Sequence, residues 1–466
     1  MDVGGKKISI LGAERSGIAV ALLLKKKNAI PFVSDSGSAE KLKENSAELQ
    51  RAGISFETDA HTEKVFDCSL IVISPGVPHY APVVLEAQQR GIKIVSEIEV
   101  ASWFCSAPII AITGSNGKTT TTTLIGRILS DAKKKHVVAG NIGTAFSSIV
   151  LDVTETDIVV LEVSSFQLEH IDTFRPKIAI LLNITQNHLD RYHQSMELYA
   201  EAKSRIFMNQ RGNDLLIYNA DDALSVEKIE SAQSQCIPFS TKVMVEHGAF
   251  CENAVLKTKI HNDDDSILSI HEISIKGEHN LQNAMAATLA AQLMHVDVAS
   301  IRATLKKFKG VEHRQEFVRE VNGIKYINNS KATTVEAVES ALKSYDEPIV
   351  LIMGGKDKGN NYEPIFDLVQ KKVRAIVATG YSAETIVKKF SDKVRVVKVE
   401  TIGNEFPNLT SMKKTIDAAT SLAQQGDIVL LSPACTSFDW FKDYEERGRV
   451  FKQLVMGISK NLQGLS

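Results

Sequence analysis

The stretch P-I-I-A-I-T-G-S-N-G-K-T-T (residues 108–120) decides the fold of this chain. Its apolar start leads into the glycine-framed Lys118, and residues 121–133 follow with the pattern of a helix. A strand, a glycine turn and a helix in this order hold nucleotide phosphates, because the turn points backbone N–H groups at phosphate oxygens. We expect Lys118 to reach the β- and γ-phosphates of a nucleoside triphosphate and the Thr119 hydroxyl to ligate Mg²⁺. Ile112 occupies the first glycine position of the common P-loop, so an ordinary strand–helix turn is the alternative.

Size and composition indicate a globular protein of several domains. The chain has 466 residues, enough for about three domains. It is 44% hydrophobic and 24% charged, and its net charge of −2 offers no general attraction to nucleic acid. We find no signal peptide and no apolar run approaching the length of a membrane span, so we expect a cytoplasmic protein. The five cysteines form no C-x-x-C pair, which argues against a disulfide framework or a zinc site.

Short β-branched runs alternate with helical stretches, which predicts an α/β fold with mainly parallel sheets. We expect three domains: a Rossmann-like domain at 1–105, a central P-loop ATPase-like domain at 106–309 and a second Rossmann-like domain at 310–466. In the first, Glu14 replaces the second glycine of G-x-G-x-x-G. A uridine nucleotide or sugar phosphate therefore suits the strand ends better than NAD.

Candidate site residues follow the strands of the central domain, where ligands of open α/β sheets bind. Glu162 ends one apolar run like a carboxylate that holds Mg²⁺ beside a γ-phosphate, although an exposed strand-end glutamate is equally common. His188 follows the next strand, and Lys203 lies in a helical stretch where a surface lysine is the ordinary reading. We expect residues 248–275 to be polar and irregular, with a loop tip at 263–265.

Nine motifs in order carry a resemblance that covers essentially the whole chain. They are G-S-N-G-K-T (114–119), G-N-I-G (140–143), E-V-S-S-F-Q-L-E (162–169), N-x-x-x-x-H-L-D (183–190), Y-A-E-A-K-S-R-I-F (199–207), G-E-H-N-x-x-N (277–283), E-H-R-Q-E (312–316), N-x-S-K-A-T (328–333) and L-S-P-A-C-x-S-F-D-x-F (431–441). Together they resemble the Mur ligases, the ATP-dependent amide-forming enzymes that build the peptide of peptidoglycan.

The last two motifs most resemble those of the members that add D-glutamate to UDP-N-acetylmuramoyl-L-alanine. We find neither the D-N-P-R motif of diaminopimelate- or lysine-adding members nor the D-Y-A-H-H-P segment of the alanine-adding one. The resemblance implies cytoplasmic peptidoglycan precursor synthesis, in which ATP phosphorylates the substrate carboxylate and the D-glutamate amine attacks the acyl phosphate. It implies that the enzyme uses ATP and two Mg²⁺ ions and acts on two small-molecule substrates. It also implies that the enzyme is a monomer and binds no nucleic acid.

The resemblance also implies a role for individual residues. Its catalytic residues would be Lys118, Glu162, His188 and Lys203, and its metal-side groups Thr119, Glu162, His188 and Lys203 as a carbamate. ATP would contact Gly114, Ser115, Asn116, Gly117, Lys118, Thr119, Thr120, Asn280, Asn283 and Arg314. UDP-N-acetylmuramoyl-L-alanine would contact Arg15, Ser16, Asp35, Ser36, Gly76, Asn141 and Gln167. D-Glutamate would contact Lys331, Thr333, Lys358, Ser437 and Phe438.

Three departures and three alternatives accompany this interpretation. Asn329 stands where aspartate is usual, Gly37 where an arginine can occur, and Tyr444 where phenylalanine is usual.

A folylpolyglutamate synthetase would share Lys118 and Glu162 but would lack S-K-A-T and need no UDP site. A non-catalytic nucleotide-binding regulator would not need these reactive groups intact, and a nicotinamide dehydrogenase is disfavoured by Glu14.

Overall fold

The computed structural model describes residues 2–40, 42–187, 189–260, 263–357, 359–403 and 405–458. It divides into two compact units, Met1–Phe308 and Lys309–Ser466. In the described ranges the strands form three sheets, each flanked by helices, which confirms the predicted α/β class. Every helix in these ranges is too short or too polar to cross a membrane. The predicted domain bounds stay a prediction.

The first sheet is parallel and, in the described part of the chain, has the order β3-β2-β1-β4-β5. Its strands are β1 Lys7–Leu11, β2 Ile30–Ser34, β3 Ser55–Glu57, β4 Leu70–Ile73 and β5 Ile94–Ser96. The helices are α1 Arg15–Lys26, α2 Lys43–Arg51, α3 Pro82–Gln89 and α4 Glu97–Ser102. The strand order changes direction at β1, so the loops after β1 and β4 form the crevice where such sheets bind ligands.

The central sheet has the order β14-β13-β12-β11-β10-β9-β6-β8-β7 within the described residues. Its strands are β6 Ile109–Thr113, β7 His136–Gly140, β8 Ile158–Glu162, β9 Ile178–Leu181, β10 Leu215–Asn219, β11 Gln235–Ser240, β12 Gly248–Glu252, β13 Val255–Ile260 and β14 Asp263–Ser269. Its helices are α5 Lys118–Asp131, α6 Phe146–Ile149, α7 Ser165–Leu168, α8 Met196–Ser204, α9 Ala223–Lys228, α10 Glu278–Leu293 and α11 Val298–Lys307. Strands β6, β8 and β9 are buried along their whole length, as expected for parallel strands covered on both faces.

The first two sheets share one compact unit because their helices pack into a common apolar core. The Glu99 side chain on α4 strengthens this junction: its carboxylate accepts backbone N–H bonds from Asp172, Thr173 and Phe174, at 2.8–2.9 Å. A fully buried carboxylate is tolerated where several such donors surround it. The junction fixes the loops of the first sheet relative to those of the central sheet.

The third sheet lies in the second unit and has the order β15-β16-β20-β17-β18-β19 in the described ranges. Its strands are β15 Glu316–Val321, β16 Ile324–Asn328, β17 Ile349–Gly354, β18 Val373–Thr379, β19 Arg395–Lys398 and β20 Ile428–Leu431. The helices are α12 Val335–Lys343, α13 Phe366–Lys372, α14 Ala383–Phe390, α15 Leu409–Leu422 and α16 Tyr444–Met456. Only β15 among these described strands runs antiparallel, as an edge strand paired with β16.

Two sequence-based expectations about the central sheet were wrong. Residues 248–275 are not irregular: they contain β12, β13 and β14, and 263–265 begin a strand rather than form a loop tip. Cross-strand pairs overcome the low strand propensity of aspartate here, since Asp264 lies opposite Lys259 and pairs with its ammonium at 3.8 Å. Helix α10 begins at Glu278 with Gly277 as its N-cap, so residues 278–283 form its first turns.

Candidate active site

Two glycines allow the turn between β6 and α5 to close tightly. Gly117 caps the helix at φ +84°, and a Cβ atom on it would lie 2.2 Å from the Asn283 side-chain oxygen. Gly114 has φ +154°, and its Cβ would lie 2.9 Å from that of Leu182. An L side chain at either position would be strained and would collide with its neighbour. The sequence G-x-x-G therefore builds a tight turn at a helix N-terminus, which we call the phosphate cradle because helix N-termini bind phosphate.

The loop after β9 holds this cradle from behind. The Ser115 N–H donates to Asn183 O at 2.9 Å, and the Asn116 N–H donates to Asn183 Oδ1 at 2.9 Å. The Ser115 hydroxyl donates to Thr185 O at 2.8 Å and accepts from the Thr185 N–H at 2.9 Å. Because these bonds use the loop's own polar groups, its shape is set before any ligand arrives.

Lys118 and Lys203 converge on one backbone oxygen. Lys118 Nζ donates to Gly114 O at 2.6 Å and to Ser115 O at 2.9 Å, and Lys203 Nζ donates to Gly114 O at 2.9 Å. Lys203 is 1% exposed, and its ammonium lies 4.4 Å from the centre of the Tyr199 ring. Burial, followed by the charge of Lys118, holds the pKa of Lys203 well below its usual value. Its ammonium therefore loses a proton more easily than that of an ordinary lysine.

Glu162 ends β8 beside the phosphate cradle and is 2% exposed. Its Oε1 accepts from Asn141 Nδ2 at 2.9 Å, whereas its Oε2 has no hydrogen-bond partner among the described residues. Thr119 lies in the first turn of the neighbouring helix α5 and is also buried. A carboxylate with one uncommitted oxygen and a hydroxyl beside a phosphate cradle fit Mg²⁺, which commonly takes one or two protein ligands plus substrate phosphates. His188 lies outside the described residues.

The residues predicted to bind the uridine substrate lie around the crevice of the first sheet. Two of them, Asp35 and Arg15, form hydrogen bonds that hold loops in place. Asp35 accepts from the Ala13 and Gly37 N–H groups, both at 2.7 Å. Arg15 donates to Gly143 O at 2.5 Å and to Asn141 O at 3.2 Å, across to the central sheet. These bonds bring the loop at residues 12–17 against the G-N-I-G loop at residues 140–143.

The remaining residues of this group occupy the same edge. Ser16 lies in the first turn of α1, and Ser36 and Gly76 are exposed in the loops after β2 and β4. Gln167 is buried and completes a capping box with Ser164, which starts α7. Their roles with a uridine substrate stay predictions.

The predicted adenine-nucleotide asparagines lie on the first turns of α10. Asn280 Oδ1 accepts from Asn283 Nδ2 at 3.3 Å, and Asn283 Oδ1 accepts from the Thr121 hydroxyl at 3.1 Å. The pair therefore connects α10 to α5 behind the phosphate cradle. Thr120 lies on the first turn of α5. Arg314 belongs to the second unit, in the turn before β15.

In the second unit, the residues predicted to bind D-glutamate follow β16 and β20, two neighbouring parallel strands. Lys331 and Thr333 lie in the loop after β16, where the Thr333 N–H donates to Lys331 O at 2.9 Å. Ser437 is buried after β20, and Phe438 beside it is exposed. Lys358 lies outside the described residues. The two loops thus meet at one edge of the sheet, as the carboxyl ends of parallel strands must.

Comparisons with known proteins agree with this architecture. Family models match at residues 7–83 (MurD N-terminal domain), 112–291 (Mur ligase middle domain) and 313–435 (Mur ligase, glutamate ligase domain). UDP-N-acetylmuramoylalanine--D-glutamate ligase of Chloroherpeton thalassium is 42% identical, over 98% of this chain and 99% of its own. That of Christiangramia forsetii is 44% identical, over 97% and 100%. The chain belongs to the Mur ligase family.

Solved structures of the family share its fold. UDP-N-acetylmuramate-alanine ligase from Thermotoga maritima aligns with a TM-score of 0.55 at 20% identity, covering 97% of this chain and 99% of its own. MurF from Acinetobacter baumannii aligns with a TM-score of 0.55 at 16% identity, covering 96% and 93%. At these identities the likeness concerns the fold alone.

Sequence reasoning assigned no role to two residues of this Mur ligase site, Tyr199 and Arg191. Tyr199, whose ring lies over the Lys203 ammonium, precedes it by four positions, so helical spacing could have found it. Arg191 donates to Pro75 O at 2.9 Å and to Val77 O at 3.2 Å, which ties the loop after β4 to the central sheet. No sequence pattern predicts that contact, because more than a hundred residues separate Arg191 from the loop after β4.

Proposed function

We propose that this chain is an ATP-dependent ligase that adds D-glutamate to UDP-N-acetylmuramoyl-L-alanine in peptidoglycan precursor synthesis. The observation that carries the proposal is the convergence of Lys118 and Lys203 on one carbonyl of a phosphate cradle, with the uncommitted oxygen of Glu162 beside it. The names of the full-length relatives support the substrate assignment. The proposed setting is the cytoplasm, and the proposed active form is a monomer.

The first step makes the substrate carboxylate reactive. A carboxylate oxygen attacks the γ-phosphorus of ATP, the bond from phosphorus to the bridging oxygen breaks, and ADP leaves an acyl phosphate behind. Several anions meet in this step, so catalysis depends mainly on positioning and charge neutralisation. In our proposal Lys118 neutralises the β- and γ-phosphates, and the backbone of residues 114–120 cradles them.

Metal ions would assist the same step, and the residues present fit them. Thr119 and Glu162 would hold Mg²⁺, and His188 and a Lys203 carbamate are proposed neighbours of a second ion. When bound, Mg²⁺ neutralises phosphate oxygens as charge develops on them. The chain's own contribution is to fix Glu162 through Asn141, so that one carboxylate oxygen stays available.

The second step forms the amide. The D-glutamate amine attacks the acyl carbon, the tetrahedral intermediate expels phosphate, and the nitrogen loses its proton to solvent. Lys331, Thr333, Lys358, Ser437 and Phe438 are proposed to orient the acceptor. Arg15, Ser16, Asp35, Ser36, Gly76, Asn141 and Gln167 are proposed to orient the uridine substrate, and Asn280, Asn283 and Arg314 the adenine nucleotide. Holding both reactants in place accounts for a large part of the rate.

A phosphate-release assay tests the proposal. ATP turnover should require UDP-N-acetylmuramoyl-L-alanine and D-glutamate together, and the product should gain the mass of one glutamate residue. Turnover with a folate and glutamate, in place of the uridine substrate, would point instead to a folylpolyglutamate synthetase, and ATP binding without turnover would point to a regulator. Either result would contradict the proposed function.

A further inference from the structure

Arg447 carries a buried guanidinium beneath two loops of the second unit. It lies on the first turn of α16 and is 3% exposed. Burial lowers the pKa of Arg447 to about 10, an effect that Asp439 partly opposes, so the guanidinium stays charged at neutral pH. Burying a charged guanidinium is costly unless hydrogen bonds satisfy its N–H donors. The acceptors of these hydrogen bonds therefore show which segments Arg447 holds in place.

Those partners belong to the loops after β16 and β20. Arg447 Nε donates to Ser330 Oγ at 2.9 Å, and Nη2 donates to Ser330 O at 2.8 Å. Nη1 donates to Cys435 O at 3.1 Å. All three acceptors are uncharged oxygens, and two of them are backbone carbonyls. The planar fork of the guanidinium thus fixes two separate backbone segments at once.

Both segments carry residues that we propose to bind the acceptor amino acid. Ser330 immediately precedes Lys331, and Cys435 lies two positions before Ser437. The Ser330 hydroxyl also donates a hydrogen bond to Tyr444 O on α16, at 2.7 Å. This bond attaches the loop after β16 to α16 at a second residue. A shift of the guanidinium would therefore move the donors of both loops relative to each other.

A third loop approaches the same group. Gly355 has φ +141°, and a Cβ on it would lie 2.2 Å from Thr436 O and 3.2 Å from Arg447 Nη1. The Lys356 N–H donates to Thr436 O at 2.9 Å, which joins this loop to the one after β20. The loops after β16, β17 and β20 consequently meet around one guanidinium.

We propose that Arg447 is a positioning residue for the acceptor: it sets the spacing between the loop of Lys331 and the loop of Ser437, and so the spacing of the donors that take the two carboxylates of D-glutamate. The inference rests on the proposed function and extends it to a residue that touches no substrate. Binding both carboxylates of one glutamate conformer needs donors at a matching separation, which a rigid bridge between the loops supplies.

Steady-state kinetics of Arg447→Gln in the full chain test the bridge. A misplacement of about 1 Å can cost roughly 10²-fold, so we expect KM for D-glutamate to rise at least tenfold. KM for ATP and for UDP-N-acetylmuramoyl-L-alanine should stay within about twofold. Arg449→Gln is the matched control, because Arg449 lies on the same helix, half-exposed, 3.6 Å from Glu445. It should leave all three constants unchanged.

Two further variants keep the test decisive. Ser330→Ala removes one hydrogen-bond acceptor of Arg447 and keeps the guanidinium. It should therefore raise KM for D-glutamate, but less than Arg447→Gln does. If Arg447→Gln does not fold, the KM of Ser330→Ala provides the test. Arg447→Lys should rescue only partly, since one ammonium cannot span both loops. Full rescue by lysine, an unchanged KM in Ser330→Ala, or an equal rise in all three constants would overturn the bridge. If the parent chain ligates no D-glutamate, the proposed function fails and the bridge with it.

Discussion

Removing the Lys203 side chain should nearly abolish ligation. The ammonium nitrogens of Lys118 and Lys203 lie 2.6 and 2.9 Å from the same oxygen. They are therefore at most about 5.5 Å apart, and two positive charges at that distance repel by about 3 kcal/mol at an effective dielectric constant of about 20. Together with burial, this repulsion favours a neutral Lys203 amine, the form that reacts with CO₂.

A carbamate at Lys203 would add an attraction to the Lys118 ammonium of similar size. Its loss in Lys203→Ala removes an anion that aligns Lys118 and a proposed metal ion, and about 3 kcal/mol in the transition state corresponds to roughly 10²-fold in turnover. We expect turnover to fall at least that far and to be partly restored by formate or acetate. Lys135→Ala, at an exposed lysine of the same unit, is the control.

The assay combines phosphate release with carbon-13 NMR of protein equilibrated in labelled CO₂. We expect a carbamate signal in the parent chain that is absent from Lys203→Ala and retained in Lys135→Ala. Turnover of Lys203→Ala within about threefold of the parent would refute the electrostatic reasoning. A parent chain with full activity and no carbamate signal would refute the carbamate.

Two other variants test the phosphate cradle. Lys118→Ala should lower turnover by about 10²-fold or more, because it removes one preorganised charge from a phosphoryl-transfer site. Its fold should persist, since Gly114 O keeps its bond from Lys203, and a circular dichroism melt checks this. Glu162→Gln should raise the Mg²⁺ concentration needed for half-maximal rate, while its amide oxygen can keep the bond from Asn141. A magnesium titration that overlays the parent's would make Glu162 a structural residue.

Much of the fold follows from local signals in the sequence. Apolar runs rich in β-branched residues give β6, β8 and β9, since strands buried on both faces are apolar along most of their length. Polar residues that end such runs then fall at one edge of a parallel sheet, which is how Glu162 was predicted beside Lys118.

The residues that escaped prediction depend on contacts between distant segments. Arg447 bonds Ser330, more than a hundred positions earlier in the chain, and no periodicity links the two. The polar strand β14 also escaped, because its stability comes from cross-strand pairs such as that between Lys259 and Asp264 rather than from its own propensity. Sequence reasoning thus locates strand ends well and tertiary bridges poorly.

The choice of acceptor amino acid tests the central claim most directly. Phosphate release should be measured with UDP-N-acetylmuramoyl-L-alanine, ATP and, in turn, D-glutamate, L-glutamate, D-aspartate, L-alanine and diaminopimelate. We expect turnover with D-glutamate alone, because loss of hydrogen bonds to buried polar groups can discriminate by about 10⁴-fold. D-Aspartate is one methylene too short for both carboxylates to reach their donors, and inversion in L-glutamate misplaces the amine or a carboxylate. Equal turnover with L-glutamate, L-alanine or diaminopimelate would contradict the account.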